Sequence, residues 1–247
     1  MIGSNTVSVI VATYNGERYI REQIESIVSQ MGDDDELIIS DDGSVDNTMQ
    51  ICRTYAENDK RITCINGPHK GYVYNFEFLM SQAKNEIIMI SDQDDVWREN
   101  KIAIVREHFQ EHPNAWVVLH DADYIDDSGN TIGETIFRDR KAKHGFIKNL
   151  IKSSYYGCCM SLSKDYKNII LPFPMHALSY DQWIGLFAEK SNRSVFCEKT
   201  LIHHRVHDSN QTKKRNIVYR LMFRTILLFY MLLLEIRYNR YKGRNEE

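Results

Sequence analysis

The stretch that decides the fold is residues 86–97, "EIIMISDQDDVW". Its first half, Ile87 to Ile90, is continuous apolar sequence of the kind found in strands buried on both faces of a sheet. Its second half places Asp92, Asp94 and Asp95 within four positions. An apolar strand that ends in three carboxylates delivers negative charge to the rim of a sheet, and two other runs repeat the plan. "VSVIVAT" (Val7–Thr13) leads into "YNGE", and "ELIIS" (36–40) leads into "DDGSVDNT".

Helical spacing fills the intervals between these runs. "YIREQIESIVSQ" puts Ile20, Ile24, Ile27 and Val28 on one stripe, and residues 46–58 and 72–82 also read as helices, with a short strand "ITCIN" between them. Alternating strand and helix predicts an α/β fold with a mostly parallel central sheet flanked by helices. After Trp97 the pattern predicts a helix to about residue 110 and a strand at 115–121. "IDDSGNTI" then reads as a hairpin turn, "YYGCCMSLS" (155–163) as a strand, and 179–191 as a helix with the Ser179/Gln182 spacing of a capping box.

No repeat, low-complexity linker or Pro/Gly-rich hinge interrupts the chain, so one compact unit, 1–212, with an appended tail, 213–247, is the expected division. The net charge of −3 hides an asymmetry: from Lys213 onward nine Lys/Arg face three acidic residues, which leaves an acidic body and a basic, apolar tail. That balance suits an anionic membrane surface better than a nucleic acid. Residues 217–241 read as one long helix, but its apolar centre, 226–234, falls well short of the ~20 residues that span a bilayer. A surface-lying anchor, a partner-helix contact or a helix packed on the protein's own core are the readings left open. Arg220, Arg224 and Glu235 fall on one side of it. The five cysteines are odd in number and show no CxxC spacing, which indicates neither a disulfide framework nor a zinc ribbon and fits a reducing cytoplasm. The first residues lack a basic segment followed by a long apolar one, so no secretory signal is expected.

In open α/β sheets ligands bind beyond the carboxyl ends of the strands. Side chains alternate along a strand, so Asp92 and Asp94 are expected to point one way and Asp95 the other. Carboxylates forced together raise one another's pKa unless a cation compensates, and hard oxygen ligands suit Mg²⁺ or Mn²⁺ shared with a diphosphate. A solvated acidic loop is the alternative. Tyr14 is placed to stack on a base or to serve as a structural aromatic. Asp42 is placed to accept from a base imide or to shape a turn. Asp181, inside the first turn of its helix, either complements the helix dipole or acts as a general base. "IHHRVHDSN" gathers His203, His204, Arg205 and His207; zinc ligation there has no sequence partner at the usual spacing.

Taken in order, "VSVIVATYNGERYI", "DDGSVDNT", "SDQDDVW" and "YDQWIG" resemble the family 2 glycosyltransferases of the GT-A fold, and more narrowly their bacterial rhamnosyltransferase-like members, over roughly residues 5–212. The resemblance implies a Rossmann-like nucleotide-binding half and an acceptor-binding half. It also implies a nucleotide-diphospho-sugar donor, a divalent metal, Mn²⁺ or Mg²⁺, and inversion by single displacement. By the same resemblance Ala12, Thr13 and Tyr14, with Asn15 beside them, would line the base pocket, and Asp42 would bind the base. Asp92 would face ribose and sugar and share the metal site, with Asp94 as the metal ligand and Asp95 and His207 as further candidates. Asn75 and Gly71 would help cover the donor, Arg205 and His207 would approach the diphosphate, and Asp181 would be the base. A glycan or lipid-linked acceptor at the inner membrane surface follows from the resemblance and the basic tail together. The rival readings are a sugar-nucleotide nucleotidyltransferase, which would carry a Gly-rich basic loop where "TYNGERY" stands, and a non-catalytic binding protein on the same fold.

Overall fold

The structure, a computed structural model, describes residues 5–174, 179–207 and 217–245. Its first half alternates as the sequence predicts: β1 (Val7–Thr13), α1 (Ile20–Val28), β2 (Glu36–Asp41), α2 (Thr48–Asn58), β3 (Ile62–Asn66), α3 (Tyr72–Gln82) and β4 (Ile87–Ser91). These four strands pair in parallel in the order β3-β2-β1-β4. β1, β2 and β4 are almost wholly buried because helices cover both faces, which is why they read as unbroken apolar runs. α1 turns Ile20, Ile24 and Ile27 inward at helical spacing. α2 starts two residues later than its apolar pattern suggests, because the Asp46 carboxylate accepts from the Thr48 amide at 3.0 Å and closes the first turn.

The second half comprises β5 (Val96–Trp97), α4 (Lys101–Glu111), β6 (Val117–Ile125), β7 (Thr131–Ile132), α5 (Ile136–Arg140), α6 (Phe146–Ile151), β8 (Met160–Ser163), α7 (Lys164–Ile170), α8 (Tyr180–Lys190), β9 (Ser194–Arg205) and α9 (Ile217–Asn245). It extends the same sheet as β4-β8-β6-β9-β5, with β7 on the side of β6. β8 runs antiparallel to both its neighbours, whereas β6 and β9 are parallel. The expected hairpin forms between β6 and β7, its turn held by the Asp126 carboxylate accepting from the Ser128 and Asn130 amides, each at 2.9 Å.

Three expectations change. Of the strand predicted over 155–163 only the last four residues are extended; Gly157–Cys159 is a 3₁₀ turn where Gly157 passes beneath Tyr180, whose phenol a β-carbon would strike. β9 is a strand the sequence conceals, since "SVFCEKTLIHHR" interleaves charges with apolar residues and two register shifts opposite His120–Ala122 break the period of two. The capping box at Ser179 does not form, because the Ser179 hydroxyl donates to the Asp181 carboxylate instead of receiving the helix amide.

α9 packs against the body. Leu227, Met231 and Leu234 are at most 4% exposed and belong to the main core, and Tyr238 meets Trp116 edge-on at 4.9 Å. Of the readings left open for this helix, packing on the protein's own core describes one of its faces. The boundary expected at residue 213 and the lysines that follow it lie outside the described residues. Among the described residues no helix is long and apolar enough to cross a membrane. All five cysteines are free.

Candidate active site

Parallel register aligns the strand ends that carry the polar groups. Thr13 stands opposite Asp41, and Val11 opposite Ser91, so the loops after β1, β2 and β4 open on one edge of the sheet. The first two loops are stitched together. The Asn15 amide donates to Ser44 Oγ at 2.8 Å, the Val45 amide to Asn15 Oδ1 at 2.9 Å, and the Gly16 amide to Thr48 Oγ1 at 2.7 Å. Asn15 sits in the left-handed region at φ +48°, a conformation that asparagine tolerates better than most residues. Its amide and carbonyl are thus spent on building the cradle, while Tyr14 beside it remains 53% exposed. Ala12 is half-buried and Thr13 buried.

Asp42 accepts from the Gly71 amide at 2.6 Å and the Lys70 amide at 3.3 Å, so its carboxylate ties the β2 loop to the start of α3. Gly43 at φ +102° lies against His69, where a side chain would collide with the imidazole. Asn75 departs from its expected place over a donor. It is 1% exposed and exchanges two hydrogen bonds with Ser40, accepting from its hydroxyl at 2.6 Å and donating to its carbonyl at 2.9 Å. It anchors α3 to β2 from inside.

The acidic loop lies past the end of β4, where the chain bends, and its three carboxylates stand in different surroundings. Asp92 is half-buried, and burial, then the charges of Asp95 and Asp94, push its carboxyl up to about 8; Asp181 adds to the same effect. Asp94 meets His207 Nε2 at 2.8 Å; burial and Asp95 raise its carboxyl while His207 opposes them. His207 is in turn stacked on Tyr19 with ring centroids 4.9 Å apart. Asp95 faces away into the protein. Its Oδ1 pairs with His204 Nδ1 at 2.7 Å and accepts from the Arg205 amide at 3.3 Å. Burial alone would neutralise the His204 imidazole, yet the carboxylate beside it holds its pKa well above the ordinary value. Asp95 is therefore a buried ion-pair partner of His204. Cys158, remote in sequence, completes a cluster with these two residues.

Asp94 and His207 are the pair that fits a divalent ion. A carboxylate oxygen beside an imidazole nitrogen, both side chains mostly buried, suits Mn²⁺ more readily than Mg²⁺. Asp92 does not converge with them on one point: the three-donor groups among the described residues are Asp95/Cys158/His204 and His108/Glu111/His112.

Two residues behave differently from what the sequence indicates. Arg205 is buried, with its guanidinium donating to Glu22 at 2.7 Å and to the carbonyls of Asp94, Asp126 and Asp127 at 3.1, 3.2 and 3.3 Å. Its charge lies beneath the loop and joins α1, the acidic turn and the β6–β7 hairpin. Gln93, which reads as a spacer between two aspartates, is a clamp: its Oε1 accepts from Thr13 Oγ1 at 2.6 Å and the Tyr14 amide at 2.9 Å, and its Nε2 donates to the Tyr14 carbonyl at 3.2 Å. Gly16 gives it room, since a β-carbon there would overlap the Gln93 amide. The sequence signal for this role was the glycine two residues after Tyr14.

Asp181 enters from the opposite half, in the first turn of α8. It accepts from the Ser179 hydroxyl and from the Gln182 amide at 2.8 Å, and burial raises its pKa against those bonds. Tyr180 beside it is wedged between Phe76, Phe173 and Tyr72, which fixes the start of α8 against α3.

The family model for "Glycosyl transferase family 2" matches residues 8–169. The dTDP-rhamnosyl transferase RfbG of Shigella flexneri is 40% identical over 98 residues, 37% of this chain and 34% of its own. The S. aureus TarS fragment 1–349 in complex with UDP-GlcNAc superposes with a TM-score of 0.68 at 19% identity, covering 90% of this chain and 66% of that one. The mannosyltransferase PcManGT from Pyrobaculum calidifontis, in complex with GDP-Man and Mn²⁺, superposes with a TM-score of 0.61 at 19% identity, over 94% and 64% of the two chains. The chain spans 42–66% of the length of three other curated relatives it matches. Both structural matches share the GT-A arrangement of a sheet flanked by helices, and with the family model over most of the body the chain belongs to glycosyl transferase family 2.

Proposed function

We propose that this protein transfers a sugar from a nucleotide-diphospho-sugar to an acceptor hydroxyl with inversion at the anomeric carbon. The observation that carries the reading is the opening of the β1, β2 and β4 loops on one edge of the sheet, with Asp94 and His207 paired there at 2.8 Å. Asp92 and Asp94 follow β4, and Asp181, at the start of α8, adds the least of the effects that shift the Asp92 carboxyl. The stitched β1 and β2 loops, with Tyr14 exposed above them, receive the base, and Asp42 orders the neighbouring turn. Asp92 faces the ribose and sugar. Asp94 and His207 would hold a divalent ion, which when bound supplies positive charge to the departing diphosphate.

The chain's own groups do the rest. The Asp181 carboxylate takes the proton of the acceptor hydroxyl as its oxygen bonds the anomeric carbon, and the bond to the diphosphate breaks on the opposite face with its electron pair leaving on phosphate. The Ser179 hydroxyl and Gln182 amide hold the Asp181 carboxylate in position. Arg205 is assigned an ordering role beneath the acidic turn. Among donors, dTDP-rhamnose is the first choice through the likeness to RfbG, with UDP-hexoses next. The acceptor is a glycan or lipid-linked glycan of a bacterial surface polysaccharide, met in the cytoplasm at the inner membrane face, and 1–212 is the catalytic part. Release of nucleoside diphosphate from a panel of sugar nucleotides, with and without Mn²⁺, tests the reading. Pyrophosphate as the nucleotide-side product, or no turnover with any donor, would overturn it.

A further inference from the structure

Among the described residues nothing covers the outer face of α9. Met222, Leu228, Phe229, Leu232, Leu233 and Ile236 are 40–59% exposed, on the side opposite the buried stripe of Leu227, Met231 and Leu234. α9 thus has two apolar faces, and three charges along the borders between them are bonded to the body. Arg224 donates to the Ile151 carbonyl, Glu235 pairs with Lys190, and Arg237 donates to the Leu171 carbonyl at 2.8 Å. A continuous exposed apolar stripe of this kind marks an interaction surface.

The Arg224 bond leads to a second element. α6 ends at Ile151, and Ile147 and Ile151, one helical turn apart, are 63% and 57% exposed. They stand in the most basic segment of the body, where Arg138, Lys141, Lys143, Lys148 and Lys152 are all exposed and Asp139 is the lone acid between residues 138 and 152. Nothing in the proposed chemistry uses these residues.

We propose that the α5–α6 segment and the outer face of α9 form one composite dock for an anionic lipid bilayer, with Ile147, Ile151, Phe229 and Leu232 entering the interface and the lysines meeting headgroup phosphates. Charge selects this occupant over a second copy of the chain. From Lys213 onward the sequence carries nine Lys/Arg against three acids, and the α5–α6 segment adds five exposed basic residues against Asp139, so a second copy would bring two basic surfaces together. An acidic surface neutralises all of them together. The inference rests on the membrane-side setting of the proposed function and gives it a defined surface, in which the body contributes as much as the tail.

The test is co-sedimentation of the full chain with vesicles of phosphatidylcholine alone and of phosphatidylcholine with phosphatidylglycerol, at about 0.15 M salt. Binding is expected only to the anionic vesicles. Lys148→Gln with Lys152→Gln should weaken it about twenty- to thirtyfold, from about fivefold for each charge near the surface. Ile147→Ser with Ile151→Ser, and Phe229→Ser with Leu232→Ser, should each weaken it at least about tenfold. All three double variants should keep the parent's melting temperature and its transfer rate to a soluble acceptor. Equal binding to both vesicle types overturns the proposal, and parental binding by the α6 variants overturns its composite character. A dimer that Phe229→Ser and Leu232→Ser dissolve would assign the face to a second copy. Because binding needs no donor and transfer needs no vesicle, a chain that transfers without binding sinks only the dock, and one that binds without transferring sinks only the chemistry.

Discussion

Replacing Gln93 by Ala removes three hydrogen bonds at once: those from the Thr13 hydroxyl and Tyr14 amide, and the one to the Tyr14 carbonyl. A neutral intramolecular hydrogen bond contributes about 1 kcal/mol net. Water replaces part of the loss at exposed Tyr14, and buried Thr13 loses more, so about 2–3 kcal/mol of ordering is removed in all. The strands themselves stay in register, since β1 pairs with β2 and β4 along its whole length. The deficit should appear when donor binding has to order the Tyr14 loop, as a rise of roughly 30- to 150-fold in donor KM and in calorimetric Kd. The kcat at saturating donor should fall less than about threefold, because the bonds of Asp181 are untouched. Gln93→Glu is the sharper variant: it keeps an acceptor for Thr13 and Tyr14, loses the Nε2 donor, and adds negative charge beside Asp92 and Asp94. Its deficit should exceed that of Ala and shrink as Mn²⁺ is raised. An Ala variant whose donor Kd stays within about twofold of the parent, or whose kcat alone falls, would refute the clamp.

Asp181→Asn should lower kcat by about 10²–10⁴ with donor Kd unchanged; residual transfer near the parental rate would remove it as the base. Burial raises the Asp181 pKa and the working form is the carboxylate, so kcat should fall as pH drops through a value higher than that of an ordinary aspartate. An acidic limb near pH ~4 would contradict this. His207→Ala should weaken the Mn²⁺ dependence of donor binding at least about tenfold, since changes one shell further from a metal already cost that much; an unaltered Mn²⁺ titration would place the ion elsewhere. Met231→Ala should destabilise the protein by about 2–5 kcal/mol in urea unfolding, because Met231 is 2% exposed in the core. A change below about 0.5 kcal/mol would mean that α9 stands apart from the body.

What was legible in the sequence follows from how locally each feature is determined. β1, β2 and β4 are buried on both faces, so their apolar runs report their state without reference to any neighbour. The acidic cluster itself is read directly from residues 92–95, but which way each carboxylate turns is set by a bend past the end of β4 and not by strand alternation. β9 was invisible because its identity comes from pairing with β6 across two register shifts. Asn75 and Arg205 carry the residue types of binding groups, but burial and satisfied hydrogen bonds decide that they hold loops together, and burial is set by the tertiary fold. Gln93 was hidden for a related reason: its partners Thr13 and Tyr14 lie 80 and 79 residues away. The tail misled in one respect. Its apolar stripe is two stripes, and only packing distinguishes the one that closes the core from the one left outside.

That distinction changes how the tail must be probed. Deleting everything from Lys213 would strip Leu227, Met231 and Leu234 from the core along with the outer stripe, so lost membrane binding and lost folding would arrive together. The same holds at the acidic turn. Asp95, His204 and the Arg205 amide form its floor, and a variant there perturbs the placement of Asp94 and the ordering of β9 at once. Phe229 and Leu232, exposed on α9, are free of this ambiguity, whereas His207 is mostly buried against Asp94 and Tyr19. If the architecture is as described, loss at His207 must be rescued by raised Mn²⁺, whereas loss at His204 must not, because its imidazole is committed to Asp95. Rescue of both variants by the ion would show that Asp95 is turned outward in the working enzyme, and would require a rotated acidic loop.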